Sequence, residues 1–112
     1  MKTAFNIDNI LGDMLEAAKG VIADEWKKVK STAETFLESK KKRLLMLAEY
    51  RIQKKITDEE LRSFLEDEKQ MFGSELAALK LITKAMAQKA ANAALDVLYG
   101  AIRAMIPGKK TQ

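Results

Sequence analysis

Apolar residues recur along this chain at steps of three and four. Leu11, Leu15, Ala18, Ile22, Trp26, Val29, Ala33 and Phe36 form one stripe, which Leu44 and Leu47 continue. A second stripe reads Leu61, Leu65, Phe72, Leu76, Leu79, Met86, Ala90, Ala93, Val97, Ala101 and Met105. Both follow the helical period and neither follows the alternation of a strand. No proline interrupts the chain between Asn6 and Ile106. The pattern predicts an all-α protein, a single helical domain over 1–112.

The clearest interruption lies between the stripes, at Lys54-Lys55-Ile56-Thr57-Asp58-Glu59-Glu60-Leu61. Thr57 with Glu60 three residues on is a capping box, in which each side chain satisfies the other's free backbone N–H. Ile56 and Leu61 are spaced as the hydrophobic staple that accompanies it. Lys54 and Lys55 suit the negative end of a preceding helix, and the acidic run suits the positive start of the next. Gly20 and Gly73-Ser74 are weaker candidate breaks. Ser31-x-x-Glu34 and Ser63-x-x-Glu66 also match the capping pattern, but apolar periodicity runs through both. Asn6 or Asp8 caps the first helix, Pro107-Gly108 ends the last, and 107–112 is expected to fray.

These signals predict a long antiparallel two-helix hairpin, about 8–55 and 58–106, each helix about 70 Å long at 1.5 Å per residue. Residue i then lies roughly opposite residue 113 − i. Residues 40–55 hold seven basic and one acidic side chain, residues 57–75 seven acidic and two basic, so folding back sets opposite charges side by side. Trp26 would fall near Ala87 and Phe36 near Ala77, large against small. Glu68 occupies the apolar stripe between Leu65 and Phe72, and Arg43 lies near it in this register. A partly buried Arg43–Glu68 ion pair could fix the alignment; the plainer reading has both side chains reaching out to water over apolar neighbours.

The segment 76–106 is apolar over most of its circumference, with ten Ala in thirty-one residues, and such a helix normally needs several neighbours. One partner helix supplies too little cover. The expected outcome is a homo-oligomer, with a dimer favoured, in which two hairpins assemble into a four-helix bundle. The alternative is a monomeric three- or four-helix bundle broken at Gly20 and Gly73. The association surface would centre on Leu79, Ile82, Met86, Leu95, Leu98 and Ile102. Four consecutive apolar residues, Leu44, Leu45, Met46 and Leu47, point around the whole helix and supply a secondary surface.

Composition narrows the chemistry. The chain has no Cys and no His, which excludes disulfides, the usual zinc and haem sites, Cys nucleophiles and His-based acid–base catalysis. The Glu-x-x-His motifs of di-iron bundles cannot be built. No glycine-rich phosphate loop is present. No catalytic, cofactor-binding or metal-binding residue is therefore expected, and no cofactor. Twenty basic against sixteen acidic residues leave a net charge of +4. The one basic run, Lys40-Lys41-Lys42-Arg43, could contact nucleic acid, but its expected neighbour is the acidic block and no aromatics interleave. Lacking a signal-peptide core or a long charge-free run, the chain is expected to be cytoplasmic.

In length and hairpin shape the chain resembles the small secreted helical-hairpin proteins of the WXG type, which pair into four-helix bundles. Their Trp-x-Gly signature belongs in the turn, where this chain has Ile56-Thr57-Asp58, and Trp26 lies within a helix. The resemblance therefore implies neither secretion nor any site. The sequence points to a non-enzymatic, self-associating helical assembly or adaptor protein, which could engage another helical protein. A peripheral membrane or pore-associated helical protein and a basic helical nucleic-acid binder are the alternatives.

Overall fold

The computed structural model describes residues 5–106. They form four α-helices, α1 (Ile7–Ile22), α2 (Trp26–Ile52), α3 (Asp58–Ala78) and α4 (Lys84–Ala104), with one turn of 3-10 helix at Ala23–Glu25 between the first two. The expected tail at 107–112, with its Pro107-Gly108 stop, lies outside the described residues.

The helices run up, down, up and down. Lys41 on α2 meets Asp8 on α1 at 2.6 Å, and Arg43 on α2 meets Glu68 on α3 at 2.7 Å. Lys69 on α3 meets Asp96 on α4 at 3.0 Å. Each pair joins residues at similar distances from the intervening turn, so each successive helix is antiparallel to the last. α4 then returns to pack on α1, closing a four-membered ring of helices. The particle measures 42 × 24 × 22 Å, well short of the 70 Å of a straight hairpin.

The helical-bundle expectation holds, with finer segmentation than two long helices over 8–55 and 58–106. The breaks also fall elsewhere than Gly20 and Gly73. Helix α1 passes through Gly20, which is exposed and has open space where a Cβ would stand. It ends at Ala23, where φ turns to 56°. Asp24 and Glu25 then place negative charge at the start of the next helical segment. Helix α3 likewise passes through Gly73, whose missing Cβ makes room for the Gln88 amide of α4, 2.5 Å from where that Cβ would stand. The Gln88 amide donates to the Lys69 carbonyl and to Asn92 Oδ1, both at 3.0 Å.

Two of the three turns between helices use lysine where glycine is the usual choice. At the end of α2, Lys54 has φ 64°, its N–H bonds the Arg51 carbonyl and the Lys55 N–H bonds the Tyr50 carbonyl, the Schellman pattern. At the end of α3, Lys80 has φ 59° and its N–H bonds the Ala77 carbonyl. Starts are conventional. Asn6 caps α1 by accepting the Asn9 N–H, and Thr57 and Glu60 form the capping box at α3. Thr83 caps α4 by accepting the Met86 N–H at 3.0 Å.

Reversal at 79–83 solves the burial problem inside one chain. Ala87, Ala90, Ala91 and Ala94 become fully buried, with Leu95, Leu98 and Ile102 beside them. Small side chains let α4 approach both α1 and α3 more closely than α2 approaches either neighbour. The large side chains gather across the wider gap between α2 and α3. Phe36 stacks on Phe72, with ring centroids 4.6 Å apart and planes 2° from parallel.

The 79–83 reversal predicts opposite signs from a continuous helix. Lys80→Gly should stabilise the chain by about 1 kcal/mol, by relieving a left-handed backbone. Thr83→Ala should cost about 1 kcal/mol, by removing a cap. Urea midpoints measure both. In an unbroken helix Gly would instead cost about 1 kcal/mol and Ala would gain.

Candidate functional site

Five large apolar side chains are exposed among the described residues: Met46, Tyr50, Phe64, Met71 and Leu81. Four of them lie on one surface. On α2, Arg43, Met46 and Tyr50 share a face at steps of three and four, and on α3 Phe64, Glu68 and Met71 do the same. Arg43 joins the two faces. Its Nε donates to Glu68 Oε2 at 2.7 Å while its guanidinium lies over the Phe64 ring at 5.8 Å. The outer face of the α2–α3 hairpin is thus an apolar seam bounded by basic residues on one helix and acidic residues on the other.

Beneath this seam Arg43 and Glu68 form an ion pair, the first of the two readings their positions allowed. Glu68 is only 2% exposed, while the Arg43 side chain reaches across it from the rim at 42%. Glu68 Oε1 accepts no hydrogen bond among the described residues, but Lys40 Nζ stands 3.4 Å away. Lys40 also lies over the Phe36 ring at 5.6 Å and donates to the Met71 sulfur at 3.9 Å. Two cations on α2 therefore hold one buried carboxylate on α3, next to the stacked phenyl rings. The pairing costs desolvation, so its role is alignment more than net stability.

The basic run is largely spoken for. Lys40 and Arg43 serve Glu68, and Lys41 pairs with Asp8, whose hydrogen bond raises the Lys41 pKa. Lys42 is exposed.

The expected association surface is corrected at its centre. Leu95, Leu98 and Ile102 are at most 1% exposed inside the single chain, because α4 has two neighbouring helices where the hairpin would have offered one. Leu79, Ile82 and Met86 remain half-buried around the α3–α4 turn, near exposed Leu81. The secondary surface divides as a helix must. Leu44 and Leu47 are buried, Leu45 is half-buried and Met46 is 38% exposed. Phe64 and Met71 belong to no surface expected from the sequence. Their signal was present, since both fall off the Leu61–Leu65–Phe72 stripe by one position.

A cleft of about 300 Å³ on the α3–α4 face is lined by Arg62, Glu66, Lys69, Asp96, Tyr99 and Arg103, together with Leu65 and Leu95. Lys69 pairs with Glu66 at 3.1 Å and with Asp96 at 3.0 Å, and the Arg103 guanidinium lies over the Tyr99 ring. Burial works against the Lys69 ammonium, but hydrogen bonds to Asp96 and Glu66 outweigh it and raise its pKa. Tyr99 donates to Asp58 Oδ2 at 2.7 Å, tying α4 to the start of α3. No group of three or more His, Cys, Asp or Glu that could hold a metal occurs among the described residues. No described helix is long and apolar enough to cross a membrane. The chain matches no family model, no curated protein and no solved structure.

Two outcomes follow from this geometry. Arg43→Met should cost about 1–2 kcal/mol, less than the 3–5 kcal/mol of a fully buried broken pair, because Arg43 is part-exposed and Lys40 remains. In a Glu68→Leu background the same change should cost almost nothing, a coupling that a denaturation double-mutant cycle measures. For Tyr99, burial and then the bond to Asp58 push the phenol above its ordinary 10.0. Its folded value exceeds its unfolded one, so the stability it contributes is full below pH 10 and is lost as pH rises through the folded value. Tyr99→Phe should flatten the alkaline decline in unfolding free energy.

Proposed function

We propose that this protein is a non-enzymatic helical assembly component that self-associates through the outer face of its α2–α3 hairpin. The observation that carries this reading is the clustering of Met46, Tyr50, Phe64 and Met71 on that one face, out of five exposed large apolar residues described. Singly scattered exposed hydrophobics are ordinary, whereas a contiguous seam on one face is the usual mark of an interaction surface. Its composition fits as well. Aromatic residues, Met and Arg are the types enriched at protein interfaces. The rim carries charges of both signs, which gives such a contact register as well as adhesion.

The reading also accounts for a bundle whose interior is devoted to closure. Among the described residues the buried charged side chain is Glu68, and it is engaged in joining two helices. What the fold leaves to the outside is a two-helix platform with apolar side chains along its groove.

Light scattering coupled to size exclusion tests the proposal. The native chain should elute with about twice the 12.6 kDa chain mass. Phe64→Lys with Met71→Lys should reduce it to one chain with little change in circular dichroism, since both positions are exposed. Leu98→Asn, by contrast, should unfold the chain, because that side chain is fully buried. A native protein that stays at single-chain mass up to millimolar concentration would end the proposal.

A further inference from the structure

The face itself selects how two copies meet. Residues 40–52 of α2 carry five basic side chains against one acidic, with Lys54 and Lys55 following in the turn, and residues 58–75 of α3 carry seven acidic against two basic. On the outward side, α3 presents Glu60, Asp67 and Glu75, all exposed, interleaved with Phe64 and Met71. The outward side of α2 presents exposed Arg43 with Met46 and Tyr50. Two simple twofold arrangements of such a hairpin face exist. An axis running across the helices sets α2 on α2 and α3 on α3, so that Glu60 and Asp67 confront their own acidic helix. An axis running along the helices sets α2 of each copy on α3 of the other, basic on acidic.

We infer that the partner is a second copy of this chain, joined about a twofold axis parallel to the helices, with α2 of each copy seated on α3 of the other. This rests on the self-association proposed above and adds its geometry. Rotation about an axis along the helices preserves height, so residues level with one another within a copy face one another between copies. The internal pairs fix those levels. Arg43 stands level with Glu68, and Arg51 approaches Asp58 at 3.9 Å near the turn. Met46 is then level with Phe64, Tyr50 with Glu60, and Arg43 with Asp67. Across the interface Met46 meets Phe64 of the second copy, thioether against ring, a favourable contact. Arg43 keeps its inward bond to Glu68 and meets Asp67 of the second copy with the rest of its guanidinium, which has five donors in a fork. Tyr50 can donate its hydroxyl to Glu60 of the second copy. The crosswise arrangement offers none of these pairings and adds like-charge contact, which is costly at an interface.

The absence of cysteine makes the arrangement directly measurable. Met46→Cys and Phe64→Cys chains are made separately, mixed and mildly oxidised. The mixture should give a disulfide-linked dimer on a non-reducing gel, and neither variant alone should, since equivalent positions lie on opposite sides of the axis. A second arm uses charge. Asp67→Lys, at an exposed position outside the capping box, should weaken dimerisation about tenfold or more, as loss of a close interfacial charge pair does, and the crosswise arrangement, with α3 on α3, predicts tightening. If light scattering shows a dimer but either cysteine variant cross-links to itself, or the mixture does not cross-link, the parallel-axis geometry is wrong while self-association stands. If light scattering shows one chain only, self-association itself fails, and the geometry with it.

Discussion

A helix that is apolar nearly all the way round cannot be hidden by one neighbour, and the architecture follows from meeting that demand within one chain. Helix α4 needs cover on two sides. The chain supplies it by reversing at 79–83 and again at 23–25, so that α1 and α3 flank α4. The alanines at 87, 90, 91 and 94 make this possible, because their small side chains admit two backbones at close range. The cost is a left-handed lysine at 80 and a positive φ at Ala23. Burial of a whole helix face outweighs local strain on the order of 1–3 kcal/mol.

Where α4 draws its neighbours in, α2 is held off by bulk. Phe36 and Phe72 fill the gap between α2 and α3, and the Arg43–Glu68–Lys40 cluster aligns the two helices beside them. Apolar stacking gives this seam its area and the buried carboxylate gives it a register. Sliding by one turn would leave Glu68 with only one of its two cations. The same spacing leaves the outer edge of the seam open, so Phe64, Met71, Met46 and Tyr50 line it without a further helix to cover them. The proposed association surface is in this sense a by-product of how the bundle closes, with tight packing on the α4 side and loose packing on the α2–α3 side.

Some of this was legible from residue order. The capping box at Thr57 and Glu60, the basic block facing the acidic block, the Arg43–Glu68 pair and the exposure of at least one of Leu44–Leu47 all depend on residues within one or two turns of each other, or on a single short connection. The break at 79–83 was the main thing missed. Its mark was Thr83, a residue of the type that caps a helix start, while Lys80 stands where a glycine would have announced a helix end. Gly20 and Gly73 drew attention because glycine weakens a helix, yet one is simply solvent-exposed and the other makes room for Gln88.

Residue order alone determined the helical class, the central turn and the charge match across it, because caps, periodicity and neighbouring charges act over a few residues. It could not determine how many helices surround α4, and so could not say that Leu95, Leu98 and Ile102 are core while Phe64 and Met71 are surface. That is a question of which distant segments come together. The free energy of burying a face is collected only after the chain has closed on itself, and no local preference records it.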